Sequence, residues 1–297
     1  MSWLNYHHLL YFKTIATEGS ISKASEKLNV GQPALSAQLK QLEESFDQKL
    51  FERKNRQLIL TDAGKATLKY ANQIYSLGTE LQEMLRDKTF SVRPHLNIGS
   101  LDSVPKHLSV RLIQAAQKIQ DCNITLLDGT GDELYRQLIN HSIDLVLANH
   151  HIMADSEEKS VYSRCIGKLP VHVYGAKEFA PLQDNFPQSL EGQSFILPTN
   201  HSKLRHDIEH FFEAANINYK VSVNVQDTAI QKFLAMEGVG LIAEPEFAVK
   251  RYLDEGKIVK LGSLKGVFEE FFLISTKRIV DNPIATQLMR DFSFADY

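Results

Sequence analysis

The stretch GQPALSAQLKQLEESF, residues 31–46, decides the fold of the first part of the chain. Its large apolar side chains recur at steps of three and four residues and so share one face of a helix: Leu35, Leu39, Leu42 and Phe46. Pro33 fits the first turn, where a missing N–H costs nothing. The opposite face begins with Gln32 and continues with small or polar residues. The pattern predicts a helix that packs on a core and presents small and polar groups near its N-terminus.

The composition is that of a globular protein with room for two or three domains. The 297 residues are 43% apolar and 23% charged, and the formal net charge is −3. Residues 1–65 carry nine Lys/Arg against seven Asp/Glu, whereas residues 89–297 carry 21 against 26. A mildly basic N-terminal part therefore precedes an acidic body.

Targeting and redox features favour a cytoplasmic location. Two cysteines, Cys122 and Cys165, are too few for a disulfide-stapled secreted domain. The opening residues MSWLNYHHLLYF lack the basic segment and the small-residue cleavage site of a secretory signal. No apolar run reaches the roughly 18–20 residues that a membrane-spanning helix needs.

The segments around the opening stretch complete a winged helix-turn-helix. A helix over 6–18 stops at Gly19, and Ser20 caps a second helix that runs to about Leu28. Residues 29–31 form a tight turn before the third helix. LFERKNRQLILT, residues 50–61, then reads as two short strands joined by 54–56.

This arrangement suits the DNA major groove. Gln32, Ser36 and Lys40 lie on the outward face of the third helix and can reach base edges, while Ala37 can touch a thymine methyl. The wing residues Arg53, Lys54 and Arg56 can neutralise phosphates, which adds affinity without sequence information. The alternative is a small helical domain whose polar face is merely solvated.

Residues 1–65 resemble the DNA-binding domain of LysR-type transcriptional regulators. The resemblance rests on short motifs in the family's order: Gly19-Ser20, Ala24, Lys27-Leu28, Gln32-Pro33-Ala34-Leu35-Ser36, Gln38-Leu39, Leu42-Glu43, Leu50-Phe51, Arg53, Leu60-Thr61 and Ala63-Gly64. It implies that Ser20 and Pro33 join the DNA-contacting residues named above. The start, LNYHHLLYF, is most similar to the branch that regulates sodium/proton antiporters.

Two positions depart from the family pattern. Gly31 stands where a hydroxyl residue usually caps the helix, and Ala37 stands where many members carry a long polar side chain. We therefore expect base discrimination to depend more on Gln32, on Ser36 and on DNA shape.

A long helix is predicted from Thr61 to Lys88. Its apolar residues form one narrow seam: Leu68, Ala71, Ile74, Leu77, Leu81 and Leu85. Such a helix needs a partner, and in the resembling family this segment is the dimerisation linker. Two DNA-binding heads could then read the half-sites of an interrupted palindrome. Packing of the helix on its own domain is the alternative.

After residue 94 the pattern alternates between strands and helices. Strands are predicted at 96–100, 123–129, 143–149, 170–175, 194–198, 221–225, 240–244 and 268–276. The fold class is therefore α+β multidomain: a winged helix-turn-helix (1–60), a linker helix (61–90) and a two-subdomain α/β body (91–297). The body resembles the family's effector-binding domain and the periplasmic solute-binding fold. Subdomain I takes 91–167 and 266–297, and subdomain II takes 168–265, with crossing strands near 166–170 and 264–269.

Ligands of such folds bind where strands end and helices begin, in the cleft between subdomains. The candidate effector contacts are Ser100, Leu101, Asp102, Thr130, Asn149, Thr199, Asn200, His201, Ser202, Asp227 and Thr228. Hydroxyls and helix N-termini favour an anion, whereas Asp102 and Asp227 favour a cation, an amine or a ligand with hydroxyl donors. Each residue taken singly is better explained as a helix cap than as a ligand contact, and only the converging set supports a ligand site as well as it supports caps.

Other chemistry receives little support. Adjacent histidines such as His150-His151 rarely chelate one ion, so we expect no metal site. We expect the two cysteines to be inert and no cofactor to be bound. Glu269-Glu270 could suggest acid-base catalysis, but adjacent strand residues point to opposite faces.

The sequence therefore predicts a regulator and not an enzyme. It would bind double-stranded DNA upstream of its target genes as a dimer or tetramer, with RNA polymerase as a further partner and no membrane association. A small effector or ion would bind in the cleft, and the branch resemblance implies activation of sodium/proton antiporter or stress-response genes. One alternative is a regulator of an unrelated metabolic operon that senses a small organic acid. A more distant one is a solute-binding protein or enzyme with an accessory helical head.

Overall fold

The computed structural model describes residues 3–54, 57–86, 93–151, 161–200, 202–278 and 280–293. The chain divides into two compact units. The first comprises residues 1–93 with 140–142, and the second comprises residues 94–139 with 143–297. Among the described helices, none combines the length and hydropathy of a bilayer-spanning segment.

The first unit is the predicted winged helix-turn-helix followed by a long helix. Its elements are α1 (Tyr6–Glu18), α2 (Ile21–Leu28), α3 (Gln32–Phe46), β1 (Phe51–Lys54), β2 (Gln57–Leu60) and α4 (Asp62–Arg86). β1 and β2 pair antiparallel as the wing. The last two residues of the predicted long helix, 87 and 88, lie outside the described residues.

Capping groups set the ends of these helices. The Ser20 hydroxyl accepts a hydrogen bond from the Lys23 N–H at 3.5 Å, and the Thr61 hydroxyl accepts one from the Gly64 N–H at 3.0 Å. Gly19, at φ +65°, ends α1 in the left-handed region that glycine enters without steric cost. The caps predicted at Ser20 and Thr61 are thus confirmed.

A buried carboxylate joins α3 to the wing. Glu43 accepts hydrogen bonds from the N–H groups of Leu50 and Phe51, at 2.9 and 3.3 Å, and pairs with the Lys49 ammonium at 2.7 Å. Burial alone would raise the pKa of Glu43, but these donors outweigh it and hold the pKa below its usual value. The backbone at Gly64 passes so close to the Leu50 carbonyl that any Cβ would collide with it. These contacts fix the wing against α3 and α4.

The second unit contains one six-stranded sheet and one two-stranded sheet. Its strands are β3 (His95–Leu101), β4 (Asn123–Gly129), β5 (Leu145–Ala148), β6 (Val161–Ala176), β7 (Ser194–Leu197), β8 (Lys220–Asn224), β9 (Ile242–Pro245) and β10 (Ile258–Thr276). The large sheet has the order β4-β3-β5-β10-β6-β9, and β7 pairs with β8. The helices are α5 (Lys106–Ile119), α6 (Gly131–Ile139), α7 (Lys203–Ala214), α8 (Thr228–Met236), α9 (Glu246–Asp254) and α10 (Pro283–Asp291).

Two lobes with separate cores share the long strands β6 and β10. The first lobe contains β3 to β5 with α5, α6 and α10, and the second contains β7 to β9 with α7, α8 and α9. β6 and β10 pair antiparallel from Val161–Thr276 at one end to Ala176–Ile258 at the other, with several register shifts. They pass from one core to the other between Ile166 and Val171 on β6. The two-lobed α/β body predicted from the sequence is thereby confirmed.

Candidate nucleic-acid interface and ligand cleft

The outward face of α3 carries the predicted base-contacting residues. Gln32, Pro33, Ser36, Ala37 and Lys40 are all exposed. Leu35, Leu39 and Leu42 on the opposite side are buried in the core of the first unit. The side chains therefore lie where a groove could receive them.

Gln32 is positioned by a residue that sequence reasoning missed. Its side-chain amide donates a hydrogen bond to the Ser22 hydroxyl on α2 at 3.1 Å. The amide oxygen stays available as an acceptor, so Ser22 orients the group without consuming all of its hydrogen-bonding capacity. Ser20 is half-buried, with its hydroxyl used as the cap of α2. No side chain caps α3 at Gly31, as predicted.

Cationic side chains flank this face. Arg53 and Lys54 are exposed on β1, where Phe51 points into the core. Arg56 lies outside the described residues. Lys40 pairs with Glu44 at 3.5 Å, but both side chains are mostly exposed, so the pair costs little to exchange for a phosphate contact.

The second half of α4 presents an apolar stripe to solvent. Leu77, Leu81 and Leu85 are 52, 53 and 56% exposed, although Leu68 and Ala71 on the first half are buried. The steps of four residues place the three leucines on one side of the helix. α4 is about 38 Å long. Its second half carries an apolar seam that the core of the first unit does not cover.

The predicted effector contacts lie at strand ends and helix starts of the second unit. Ser100 and Leu101 end β3, Thr130 follows β4, and Asn149 follows β5. Thr199, Asn200 and Ser202 precede α7, and Asp227 and Thr228 begin α8. His201 lies outside the described residues.

Several of these side chains have structural tasks. Asp227 caps α8 through the Ala229 N–H at 2.7 Å, and the Thr130 hydroxyl donates to Glu133 at 2.9 Å. Leu101 belongs to the core of the first lobe, and the buried Ser100 hydroxyl lies 3.2 Å from that of Ser109. The side chains of Ser100 and Leu101 are therefore engaged in the core, so these two residues could contact a ligand only through their backbone groups.

Asn149 is the centre of a buried hydrogen-bond network that reaches β10, the strand that both lobes share. Its amide oxygen accepts from the Ser103 hydroxyl at 2.9 Å, and its amide nitrogen donates to Glu269 Oε1 on β10 at 3.0 Å. His150 Nδ1 lies 3.2 Å from the same amide oxygen. Asn149 thus links the first lobe to a strand that both lobes share.

A buried cluster of ionisable side chains lies beside Asn149, and no sequence pattern indicated it. Glu269 on β10 and Glu244 on β9 are 4% and 1% exposed, and Lys232 on α8 is 3% exposed. Burial raises the pKa of both carboxyl groups towards neutral pH, and the charge of Glu244 raises that of Glu269 further. Lys232 acts against both shifts. The expectation that Glu269 and Glu270 cannot pair holds, because Glu270 instead binds Lys168 at 2.9 Å.

The described residues contain no group of three or more His, Cys, Asp or Glu side chains that could hold a metal ion. His151 packs its ring against Phe272 with centroids 4.2 Å apart. Cys122 is buried, and burial raises the pKa of its thiol, whereas Cys165 is exposed on β6. Neither cysteine is in a disulfide.

Glu244→Gln should stabilise the second unit at alkaline pH. The pKa of Glu244 is higher in the folded chain than in the unfolded chain, so its ionisation costs stability as pH rises. This loss of folding stability is absent below about pH 4. It reaches its full size above the pKa that Glu244 has in the folded chain. We expect the variant to exceed the wild type in unfolding free energy by roughly 3 kcal/mol at pH 8 and to match it near pH 4.

Thermal unfolding of the full chain across this pH range measures the difference. Glu237→Gln, an exposed glutamate at the end of α8, is the matched control and should show no pH-dependent gain. A constant offset between Glu244→Gln and wild type at every pH would contradict the burial of an ionisable Glu244.

Both parts of the chain match known protein families. Residues 6–65 match the bacterial regulatory helix-turn-helix proteins of the lysR family, and residues 91–292 match the LysR substrate binding domain. The transcriptional activator protein NhaR of Escherichia coli (strain K12) is 27% identical over 292 residues, which cover 97% of this chain and 95% of that protein. The nitrogen assimilation regulatory protein nac of the same strain is 26% identical over 249 residues, or 83% and 80% of the two chains.

Solved structures share the fold. ArgP from Mycobacterium tuberculosis superimposes with a TM-score of 0.63 at 20% identity and covers 97% of each chain. Full-length CbnR in complex with its target DNA gives 0.58 at 19% identity, covering 96% of this chain and 97% of that one. With family matches over both the helix-turn-helix and the two-lobed body, this chain belongs to the LysR family and is a DNA-binding transcriptional regulator.

Proposed function

We propose that this regulator activates transcription of sodium/proton antiporter or related stress-response genes when an effector binds in the cleft of its second unit. The observation that carries the proposal is the 27% identity to the activator NhaR, which extends over 97% of this chain and therefore includes both units. The protein would act in the cytoplasm by binding alone, without catalysing a reaction.

The DNA contacts divide into base reading and phosphate binding. Gln32, Ser36 and Lys40 would read base edges in the major groove, with Pro33 and Ala37 in apolar contact. Arg53, Lys54 and Arg56 of the wing, with Ser20 at the start of α2, would contact the backbone. The exposure of the α3 face and the hydrogen bond that orients Gln32 support this division.

Dimerisation would use α4 and would place two heads on an interrupted palindrome. The exposed leucines at 77, 81 and 85 form an apolar seam that a second copy of the helix could cover. We accordingly assign residues 1–60 to DNA reading, 61–90 to dimerisation and 91–297 to effector binding. Two dimers could pair further into a tetramer, and RNA polymerase would be the partner that activation requires.

Effector contacts would come from both lobes. Candidates are Asp102, Thr130 and Asn149 from the first lobe and Thr199, Asn200, His201, Ser202, Asp227 and Thr228 from the second, with backbone groups of Ser100 and Leu101. An effector with different affinities for two arrangements of the protein shifts the population between them, and this difference limits its effect on transcription. The alternative is an organic acid effector of an unrelated operon.

A quantitative footprint on the DNA upstream of the gene and its neighbour tests the proposed target and response. It is recorded in sodium and in potassium salts at matched ionic strength, because counterion release alone makes binding salt-dependent. We expect a protected, dyad-related site whose pattern changes in the sodium salt but not in the potassium salt. Absence of any protected site, at concentrations where the protein is dimeric, would contradict the proposed local target.

Substitutions on α3 and the wing separate specificity from affinity. Gln32→Ala should reduce the preference for the specific site over random DNA by about 1–3 kcal/mol. Arg53→Ala should weaken both kinds of DNA alike and reduce the salt slope by about one. Binding isotherms at several salt concentrations measure both quantities. Gln41→Ala, an exposed glutamine later on α3 that is not assigned to DNA contact, is the control. Equal losses of specific and random binding for Gln32→Ala would refute its role.

The apolar seam of α4 should control assembly. Leu81→Glu places a charge in the seam and removes buried leucine surface, so the dimer dissociation constant should rise at least about tenfold. Sedimentation equilibrium of the full chain measures this constant. Thr79→Glu introduces the same charge on another side of the helix and should leave it nearly unchanged. Equal behaviour of the two variants would place the dimer interface elsewhere.

A further inference from the structure

We propose that Ser22 on α2 is a specificity-determining residue, because its hydroxyl holds the Gln32 amide in an orientation that reads adenine. The inference rests on the proposed role of Gln32 in base reading and deepens it, since it names the base and the residue that selects it. Ser22 acts through Gln32 and is therefore a positioning residue.

Ser22 lies on a part of the first unit whose position is fixed. The Ser20 hydroxyl caps α2, and Ala24 anchors the helix in the core, where it is fully buried. The Ser22 carbonyl also accepts a hydrogen bond from the Ser25 hydroxyl at 2.7 Å. The side chain of Ser22 is half-buried. Its hydroxyl is thus a fixed point against which an exposed side chain can be aligned.

The Gln32 side chain would be mobile without such a point. Gln32 begins α3 and is exposed, whereas Leu35, one turn later, is fully buried and holds this end of the helix in the core. An exposed glutamine samples several rotamers, and its amide can turn so that the oxygen and the nitrogen exchange places. The hydrogen bond from Gln32 Nε2 to Ser22 Oγ, at 3.1 Å, selects orientations with the nitrogen on the side of α2.

The donors and acceptors that remain on Gln32 match adenine. A glutamine amide has two N–H donors and one carbonyl oxygen, and one of the donors is bound to Ser22. One N–H and the oxygen remain. In the major groove adenine presents N7, an acceptor, beside its N6 amino group, a donor. The remaining groups of Gln32 are complementary to this pair.

The other three bases fit the remaining groups less well. Guanine presents two acceptors, so the Gln32 oxygen would face an acceptor and would lose its hydrogen bond. Thymine offers one acceptor and cytosine offers one donor, so each of them can form one of the two bonds. Without the Ser22 hydroxyl, both N–H groups and both orientations of the amide would become available. The preference for adenine would then broaden.

A direct phosphate contact is the other task that the Ser22 hydroxyl could perform. Serine hydroxyls do bind DNA phosphates, and such a contact adds affinity for every sequence alike. A positioning role instead changes the preference among bases at one position of the site. The hydrogen bond that Ser22 accepts from Gln32 favours the positioning role.

Selection of bound fragments from a random-sequence DNA library by the full chain, followed by sequencing, tests the proposal. The wild type should show one position in each half-site at which adenine is preferred by about 5–150-fold, the range for a bidentate base contact. Gln32→Ala should lose the preference at that position and thereby identifies it. Ser22→Ala should reduce the same preference by about 2–10-fold, which corresponds to one hydrogen bond, and should leave the other positions unchanged.

Two further variants make the result specific to the hydroxyl of Ser22. Ser22→Thr retains a hydroxyl and should restore the adenine preference of the wild type. Thr17→Ala is the matched control, because it removes an exposed hydroxyl that bonds the Lys13 carbonyl within α1 at 2.9 Å. It should leave the preference at every position unchanged. Base preferences that persist at the other positions show that each variant is folded.

Three results would overturn the proposal. The first is a Ser22→Ala variant with the base preferences of the wild type. The second is a Ser22→Ala variant that binds all sequences more weakly by the same factor and has a smaller salt slope, which would assign the hydroxyl to a phosphate. The third is a Gln32-dependent position at which a base other than adenine is preferred.

The same selections separate this inference from the proposed function. If Gln32→Ala changes no position, the proposed base-reading role of Gln32 fails, and Ser22 has no side chain to position. If Gln32→Ala removes a preference that Ser22→Ala retains in full, the base-reading role stands and only the inference about Ser22 fails.

Discussion

The pairing of β6 with β10 is the constraint on which the second unit depends. Both strands contribute to both cores, so their hydrogen bonds hold the lobes at one crossing and leave a cleft beside it. Each lobe alone would have unpaired strand edges at this point, which is costly in a buried sheet. The crossing also determines which side chains meet, because it brings Glu269 of β10 to the end of β5.

In the first unit a few local groups fix the position of the exposed α3 face that we propose contacts DNA. Glu43 joins α3 to the wing, and the close contact at Gly64 holds α4 against the segment that leads into β1. The hydrogen bond from Gln32 to Ser22 restricts a side chain that would otherwise sample many rotamers. Less conformational entropy then remains to be lost when DNA binds, so a small number of base contacts can still discriminate.

The buried ionisable side chains of the second unit have the opposite character, because they lower its stability. Burying Glu244, Glu269 and Lys232 together costs folding free energy that an apolar cluster would not. The hydrogen bond from Asn149 to Glu269 and the charge of Lys232 offset part of that cost.

The sequence by itself determined what depends on near neighbours along the chain. Helical spacing, the caps at Ser20 and Thr61, and alternation of strands and helices were sufficient for the winged head and the two-lobed body. Tertiary structure decided what depends on distant residues. Strand alternation correctly separated Glu269 from Glu270, but it could not indicate that Glu244, 25 positions earlier, approaches Glu269 with Lys232. Such an encounter depends on how β9, β10 and α8 pack, and no local pattern encodes that packing.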